Sequence, residues 1–181
     1  MKEIYKTNFI QNTFHVNLHI KTIEQIYALE KPRETCRLFD ANLIKRHLKT
    51  SHNFIHLGLI QVGINPLTMQ GKNTSVLLCL QDARFLNYND SLMGMMETGL
   101  HKGPAHFNCF PDFTLSLHDP HILDALTLNI QLNDSFTNMK EKALNIALIY
   151  SVYYKCIKTN LNVQALHKSP KDKTLLIQSS S

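Results

Sequence analysis

Three groups of residues in this sequence have types and spacing suited to chemistry. Asp82 ends the apolar run Leu77-Leu78-Cys79-Leu80, with Arg84 two residues on. His118, Asp119 and His121 cluster on one turn, and His52 and His56 are four apart, all of metal-ligating type. Cys109 and His106 have the types of a thiol nucleophile and its base. The last two groups fall short. On a strand His52 and His56 lie too far apart to share an ion, and no motif fixes a third ligand for the turn histidines. Nothing identifies an orienting group or oxyanion hole for Cys109. Dinucleotide-binding, P-loop, nucleophile-elbow and zincin motifs are absent. The expectation is a protein that is not an enzyme, with no catalytic residues, no metal and no cofactor.

Asp82 poses a sharper problem. On a strand it shares a face with Val76, Leu78, Leu80 and Arg84. A carboxylate on that face is costly to bury unless it is paired or hydrogen-bonded, and Arg84 is the nearest partner. A structural ion pair or turn cap at the strand end satisfies the same requirement.

The surrounding elements must position it. Residues 13–20, "TFHVNLHI", alternate as a half-buried strand. "TIEQIYALEK" has Ile23, Ile26 and Tyr27 at helical spacing, closed by Pro32. "DANLIKRHLK" predicts a second short helix, capped by Asp40, with Leu43, Ile44, His47 and Leu48 as its inner stripe. Lys45, Arg46 and Lys49 lie off that stripe. From residue 54 short strands succeed one another at close spacing: "FIHLGLIQV", "TSVLLCLQ", "AHFNCF", "FTLSLH", "ALTLNIQ" and "NIALIYSVYYK". The last but one carries Leu126, Leu128 and Ile130 inward. "MQGKN" (69–73) reads as a loop, and Leu92–Thr98 fits strand or helix equally. Seven or so strands with turns between them predict a mainly β fold, an antiparallel jelly-roll-like sandwich or barrel with short flanking helices, α+β at the N-terminus. The expected divisions are a basic strand and helix over 1–40, the core over 41–158, and a polar, flexible tail over 159–181.

Charge is unevenly placed. The chain of 181 residues carries a net +5. Residues 1–49 carry +4, residues 50–139 carry −4 and residues 140–181 carry +5. Basic ends around an acidic middle suit contact with an anion, and equally suit plain solubilising charge. Arg33, Arg37, Lys45, Arg46 and Lys49 are the candidate contacts to nucleic acid. The four cysteines lack CxxC spacing and are expected as reduced thiols. No apolar run is long enough for a membrane span, and the N-terminus does not read as a secretory signal.

The blocks "GLIQVGINPL", "LQD" ending at Asp82, "GPAHFNCFPDFTLSLHD" and "LTLNI", in that order over about residues 41–155, resemble the movement proteins of plant viruses, the 30K superfamily. The resemblance is nearest to the branch encoded by plant pararetroviruses, the caulimovirus family. It implies a jelly-roll core and carriage of viral genomes or particles from cell to cell through plasmodesmata. It implies binding to nucleic acid without sequence preference, single strands preferred, and self-association into oligomers or tubules. Plasmodesmal or membrane-associated host proteins are further implied partners. The implied place is the plasmodesma or cell junction of a host plant cell, with a cytoplasmic pool. Leu80 and Asp82 match the family's LxD signature, whose role is taken to be structural and required for transport; Arg84 is the nearest pairing partner of that aspartate. Two departures stand out. The glycine expected some distance beyond the aspartate is missing, with "NDSFTNM" (133–139) in its place. The chain also ends soon after its last long strand, leaving little room for a region that meets the virion coat protein. Together they point to an integrated or shortened copy. The alternative function is a capsid-like, self-assembling structural protein that binds nucleic acid incidentally. A metal-dependent hydrolase using Asp82 and the histidines is a third.

Overall fold

A computed structural model of the protein describes residues 18–29, 33–67, 74–133, 144–159 and 176–178. Among the described residues ten strands make two five-stranded sheets. They are β1 (Leu18–Leu29), β2 (Arg33–Arg37), β3 (Phe54–Pro66), β4 (Ser75–Asp82), β5 (Leu92–Gly99), β6 (Ala105–Cys109), β7 (Phe113–Ser116), β8 (Leu126–Asn133), β9 (Leu144–Ile157) and β10 (Leu176–Gln178). Two helices, α1 (Ala41–Lys49) and α2 (Tyr88–Ser91), lie between them. The first sheet has the order β1-β9-β3-β6, with β7 also on β3; the second has the order β10-β5-β4-β8-β2. All pairings are antiparallel except β10 with β5.

The pairing of β3 with β9 and of β4 with β8 organises the rest. The chain leaves β3 for β4 in the other sheet and returns from β8 to β9. One antiparallel ribbon is thus folded over so that its halves lie in different sheets, which is the jelly-roll wrapping. Side chains from both sheets share one core, including Ile60, Val62, Leu78, Leu80, Phe107, Leu128 and Val152. Alternation supplies this core because every second residue of a strand points to the same face. In β8 the inward set is Leu126, Leu128, Ile130 and Leu132, and in β4 it is Val76, Leu78 and Leu80. β3 changes parity midway: Ile55 and Leu57 are buried on one side of Gly58, Ile60, Val62 and Ile64 on the other. Its register against β9 shifts between Leu57 and Leu59, so a bulge absorbs the extra residue and keeps both halves facing the core.

α1 packs as its stripe requires. Asp40 Oδ1 accepts from Leu43 N–H at 2.7 Å, which caps the helix, and Leu43, Ile44 and His47 are buried. One local expectation is corrected, and an open choice is decided. The helix expected over "TIEQIYALEK" is corrected: through Leu29 the segment is instead part of β1, paired with β9 from Leu18↔Lys155 to Leu29↔Leu144. A twelve-residue ladder satisfies backbone groups that local helical spacing alone does not secure against a waiting sheet edge. Leu92–Thr98 resolves as strand. Leu176–Gln178 pairs with β5 as a short parallel strand. The strand start at 13–17, the "MQGKN" loop, the turn at Asp134–Met139 and the tail before Leu176 lie outside the described residues.

The sheets approach most closely where β5 passes β6. A Cβ added at Gly94 would lie 2.9 Å from Phe107 Cε2, so only glycine fits there without moving a core aromatic. Gly94→Val should lower stability by about 1–3 kcal/mol, read as a lower urea midpoint at unchanged slope. An unchanged midpoint would contradict this packing.

Candidate functional site

The site is built at the C-terminal end of β4. Asp82 follows Val76, Leu78 and Leu80 on the inward face and is 3% exposed. Its backbone sits opposite Leu126 of β8, and Ala83 N–H donates to Ala125 C=O at 2.9 Å, so the strand's direction is held to the last residue. The chain then turns back. Arg84 Nε donates to Asp82 Oδ1 at 2.8 Å, and Arg84 Nη2 to Asp82 Oδ2 at 2.6 Å. Arg84 N–H also donates to Oδ1 at 3.2 Å. Both carboxylate oxygens are therefore met by a planar fork, the strongest arrangement for this pair of groups. Donation of hydrogen bonds to Asp82 raises the Arg84 pKa further above its ordinary value, against the opposing effect of burial, with Asp82 and Asp119 charges adding to the rise.

The fork also ties the sheets together. Arg84 Cζ lies 5.0 Å from the centroid of the Phe113 ring, a cation–π contact. Phe113 belongs to β7 in the first sheet, opposite Leu57 of β3. Next to it, Asp112 Oδ1 lies 3.4 Å from Nε2 of the buried His56. Asp112 adopts φ 51, a left-handed conformation that aspartate tolerates better than most residues.

Between β4 and the first residue of α2 the fork holds a segment that displays apolar side chains, Tyr88 of α2 included. Leu86 is 105% exposed, Phe85 51% and Tyr88 54%. Neither this loop nor Phe113 is among the residues that motif and spacing single out. The signal was present in "ARFLNY", three large apolar residues between a strand end and a short helix capped by Asn87.

The candidate anion contacts are separated by their neighbours. Lys45 and Lys49 are exposed on the outer side of α1, as their spacing requires. Arg46 is exposed too but reaches Tyr154 and Cys156. It counters the rise that burial imposes on the Tyr154 hydroxyl and on the Cys156 thiol, the latter pushed up to about 12. Tyr154 Oη and His47 Nε2 are 2.9 Å apart beneath the helix. Arg33 and Arg37 lie on β2, an edge strand, both exposed. Arg37 Nε is 2.6 Å from Asp124 Oδ1, so its charge is already countered.

The histidine and cysteine groups are dispersed. His118 Nε2 lies 3.0 Å from Asn53 Oδ1, and Asp119 Oδ1 accepts from His121 N–H at 2.8 Å within its own turn. His52 bonds Thr50 and His56 meets Asp112. His106 is exposed while Cys109 is buried and donates to Met93 C=O, so the two do not form a nucleophile–base pair. Among the described residues no three His, Cys, Asp or Glu side chains are grouped to hold an ion. No helix among them is long and apolar enough to cross a membrane.

The fold and site describe a jelly-roll-like β-sandwich with a buried carboxylate, Asp82, forked by Arg84 at one strand end. A model of the viral movement protein family matches residues 1–169, and the chain belongs to that family. It is 33% identical over 75 residues to the movement protein of Figwort mosaic virus (strain DxS), covering 41% of this chain and 23% of that protein. It is 27% identical over 107 residues to the genome polyprotein of Petunia vein clearing virus (isolate Shepherd), 58% of this chain and 5% of the polyprotein. It is 31% identical over 85 residues to the probable movement protein 4b of Lettuce necrotic yellows virus (isolate 318), 44% of this chain and 28% of that protein. These matches thus span between 5% and 28% of the relatives' lengths. Among solved structures, the fold is similar to a chain in a Nora virus structure, with TM-score 0.52 and 9% identity, covering 98% of this chain and 73% of that one.

Two substitutions separate charge from geometry at the fork. Asp82→Ala removes both oxygens and should cost about 1–3 kcal/mol in urea unfolding. Arg84→Lys keeps the charge but loses the planar fork. Chymotrypsin should cut it faster than wild type after Phe85, Leu86 or Tyr88, with a smaller loss of global stability. Equal cleavage rates in Arg84→Lys and wild type would contradict the fork's role in holding the loop.

Proposed function

We propose that this chain serves in the movement of viral nucleic acid between plant cells, acting at plasmodesmata and binding single-stranded nucleic acid without regard to sequence. The observation that carries the reading is the family match over residues 1–169. The distribution of charge supports it. Lys45 and Lys49 stand exposed on α1, Arg33 on the edge of the second sheet, and Arg46 beside Lys45 in sequence. Such residues neutralise phosphates and release counterions, which needs no fixed pocket and reads no base. The macrodipole leaves the C-terminal end of α1 partly negative, so the basic residues in its last turn stabilise the helix as well. Plasmodesmal or membrane-associated host proteins are the further partners of this reading.

Asp82 has a different part. A buried carboxylate with both oxygens bonded to Arg84 is withdrawn from solvent and offers phosphate no favourable contact. Its part in transport is to hold the β4 end and the loop beyond it.

The two parts come apart in a pair of assays. Binding of fluorescent single-stranded DNA should weaken steeply as salt rises. Lys45→Ala with Lys49→Ala should lower the slope of log K against log salt by about 1.4, at roughly 0.7 for each phosphate no longer neutralised. Arg37→Ala should change it little, because Asp124 already counters that charge. In leaf epidermis, Asp82→Ala introduced into a transport-competent relative should abolish spread between cells while DNA binding persists. Salt-independent binding would overturn the assigned contacts, and normal spread of the Asp82 variant would overturn the role of the fork.

A further inference from the structure

The outer face of the first sheet carries a glycine that the fold does not require. Gly63 sits inside β3, opposite His106 of β6 on one side and Ile149 of β9 on the other. A glycine inside a strand weakens it, and its usual reason is a bulge, a bend or the close approach of another group. Gly94 has such a reason in Phe107. No described residue supplies one for Gly63. Its pairing is regular on both sides, its φ is not positive, and a Cβ there would meet no atom nearer than 3.6 Å. What the missing side chain leaves is a hollow of about 370 Å³.

The hollow has a definite shape. Adjacent strands lie about 4.8 Å apart, so the backbones of His106 and Ile149 stand about 10 Å apart across the glycine. Side chains rise roughly perpendicular to a sheet, so these two form facing walls. A planar ring touching a wall on each face needs about 7–8 Å between the wall atoms, twice a carbon contact distance. One flat ring therefore fits on edge between His106 and Ile149. Along β3 the hollow is longer: Gln61 and Asn65, at its two ends, are four residues apart, about 13 Å.

The chemistry of the lining narrows the occupant. Among the described residues that line it there is no Asp, Glu, Lys or Arg. Its polar groups are the amides of Gln61 and Asn65, the imidazole of His106 and the hydroxyl of Ser151. Gln61 is held in place: its Nε2 donates to Asn108 Oδ1 at 3.0 Å, and its Oε1 accepts from Tyr153 Oη at 2.8 Å. A second N–H of that amide remains to donate. His106 is exposed and supplies an aromatic wall. A neutral flat ring with donors and acceptors along its edge suits all of these groups. Stacking on an aromatic side chain with hydrogen bonds at the edge is how proteins hold unpaired bases.

We propose that the hollow is a subsite for one unpaired nucleobase, stacked on His106 over the Gly63 backbone with the Gln61 and Asn65 amides at its edge. The base belongs to a strand whose phosphates the basic residues hold, so the proposal rests on the strand-binding reading and deepens it. Phosphate contacts alone attract a duplex as readily as a single strand. A slot for one ring admits only a base that is free of its partner and its stack, and so favours the single strand. Every base has a π face, so the slot discriminates little by sequence.

Adenosine, which has a base and no phosphate, tests the slot directly when titrated into the full chain and followed by backbone amide shifts in NMR. Wild type should show saturable shifts at Gly63, His106 and Ile149, with none in α1. Gly63→Val, which fills the hollow with a residue suited to a strand, should abolish them. His106→Ala, at an exposed position, should weaken binding at least about fivefold, the lower end for loss of one base–aromatic stack. That variant decides the matter if Gly63→Val does not fold. A second arm compares single-stranded DNA with an abasic strand of the same length and charge. Wild type should bind the DNA more tightly, Gly63→Val should bind both alike, and the salt slope should be the same throughout. No shift at the hollow, equal shifts with glucose, or equal affinity of wild type for the two strands would each overturn the proposal. Strand binding with a steep salt slope but no adenosine shift would overturn the slot alone. Adenosine shifts at the hollow with no strand bound at any salt would overturn the phosphate contacts, and with them the strand as the source of the base.

Discussion

The Asp82 carboxylate stands on the core side of β4, where three preceding inward residues are aliphatic and fully buried. A charge there needs a partner that arrives with it, because water cannot stay to solvate it. Arg84 meets that need from two residues away, so the chain must reverse at once after the strand. The reversal has two consequences. It sets Arg84 over Phe113 and so joins the second sheet to β7 of the first. It also throws Phe85 and Leu86 outward, since the arginine between them and the strand is committed inward. A structural ion pair and an exposed apolar tip are two sides of one local solution.

The jelly-roll wrapping gives this end of the molecule its neighbours. Because β3 and β4 pair with β9 and β8, the ends of β4, β7 and the start of β3 come together although they are distant in sequence. The bulge at Gly58 and the close passage at Gly94 let the sheets keep aliphatic faces toward each other along their length. The exposed basic residues Lys45 and Lys49 on α1 and Arg33 on the β2 edge lie elsewhere, outside the core packing.

Much of this was legible from residues alone, for definite reasons. The β4 and β8 faces come from strict alternation, and the α1 stripe from Leu43, Ile44 and His47 recurring at helical spacing behind an aspartate cap. The Asp82–Arg84 pair came from parity and the cost of burial. What was not legible depends on distant chain. β1 carries a local helical spacing in Ile23, Ile26 and Tyr27, but the length of β9 offers it a full ladder. β2, β10 and the choice of strand for β5 are likewise settled by pairing with β8, β5 and β4. The partner of Arg37 is Asp124, 87 residues away, and no local pattern announces it. The hollow at Gly63 exists only once three strands are aligned beside it.

The central claim is that Asp82 and Arg84 stabilise this end of the sandwich by acting on each other. A double-mutant cycle in urea unfolding, built from Asp82→Asn, Arg84→Gln and the double variant, measures that interaction directly. The fork predicts a coupling of about 1–3 kcal/mol, with the double variant losing much less than the two single variants summed. Additivity to within about 0.5 kcal/mol would show that the two side chains act independently, and would contradict the account.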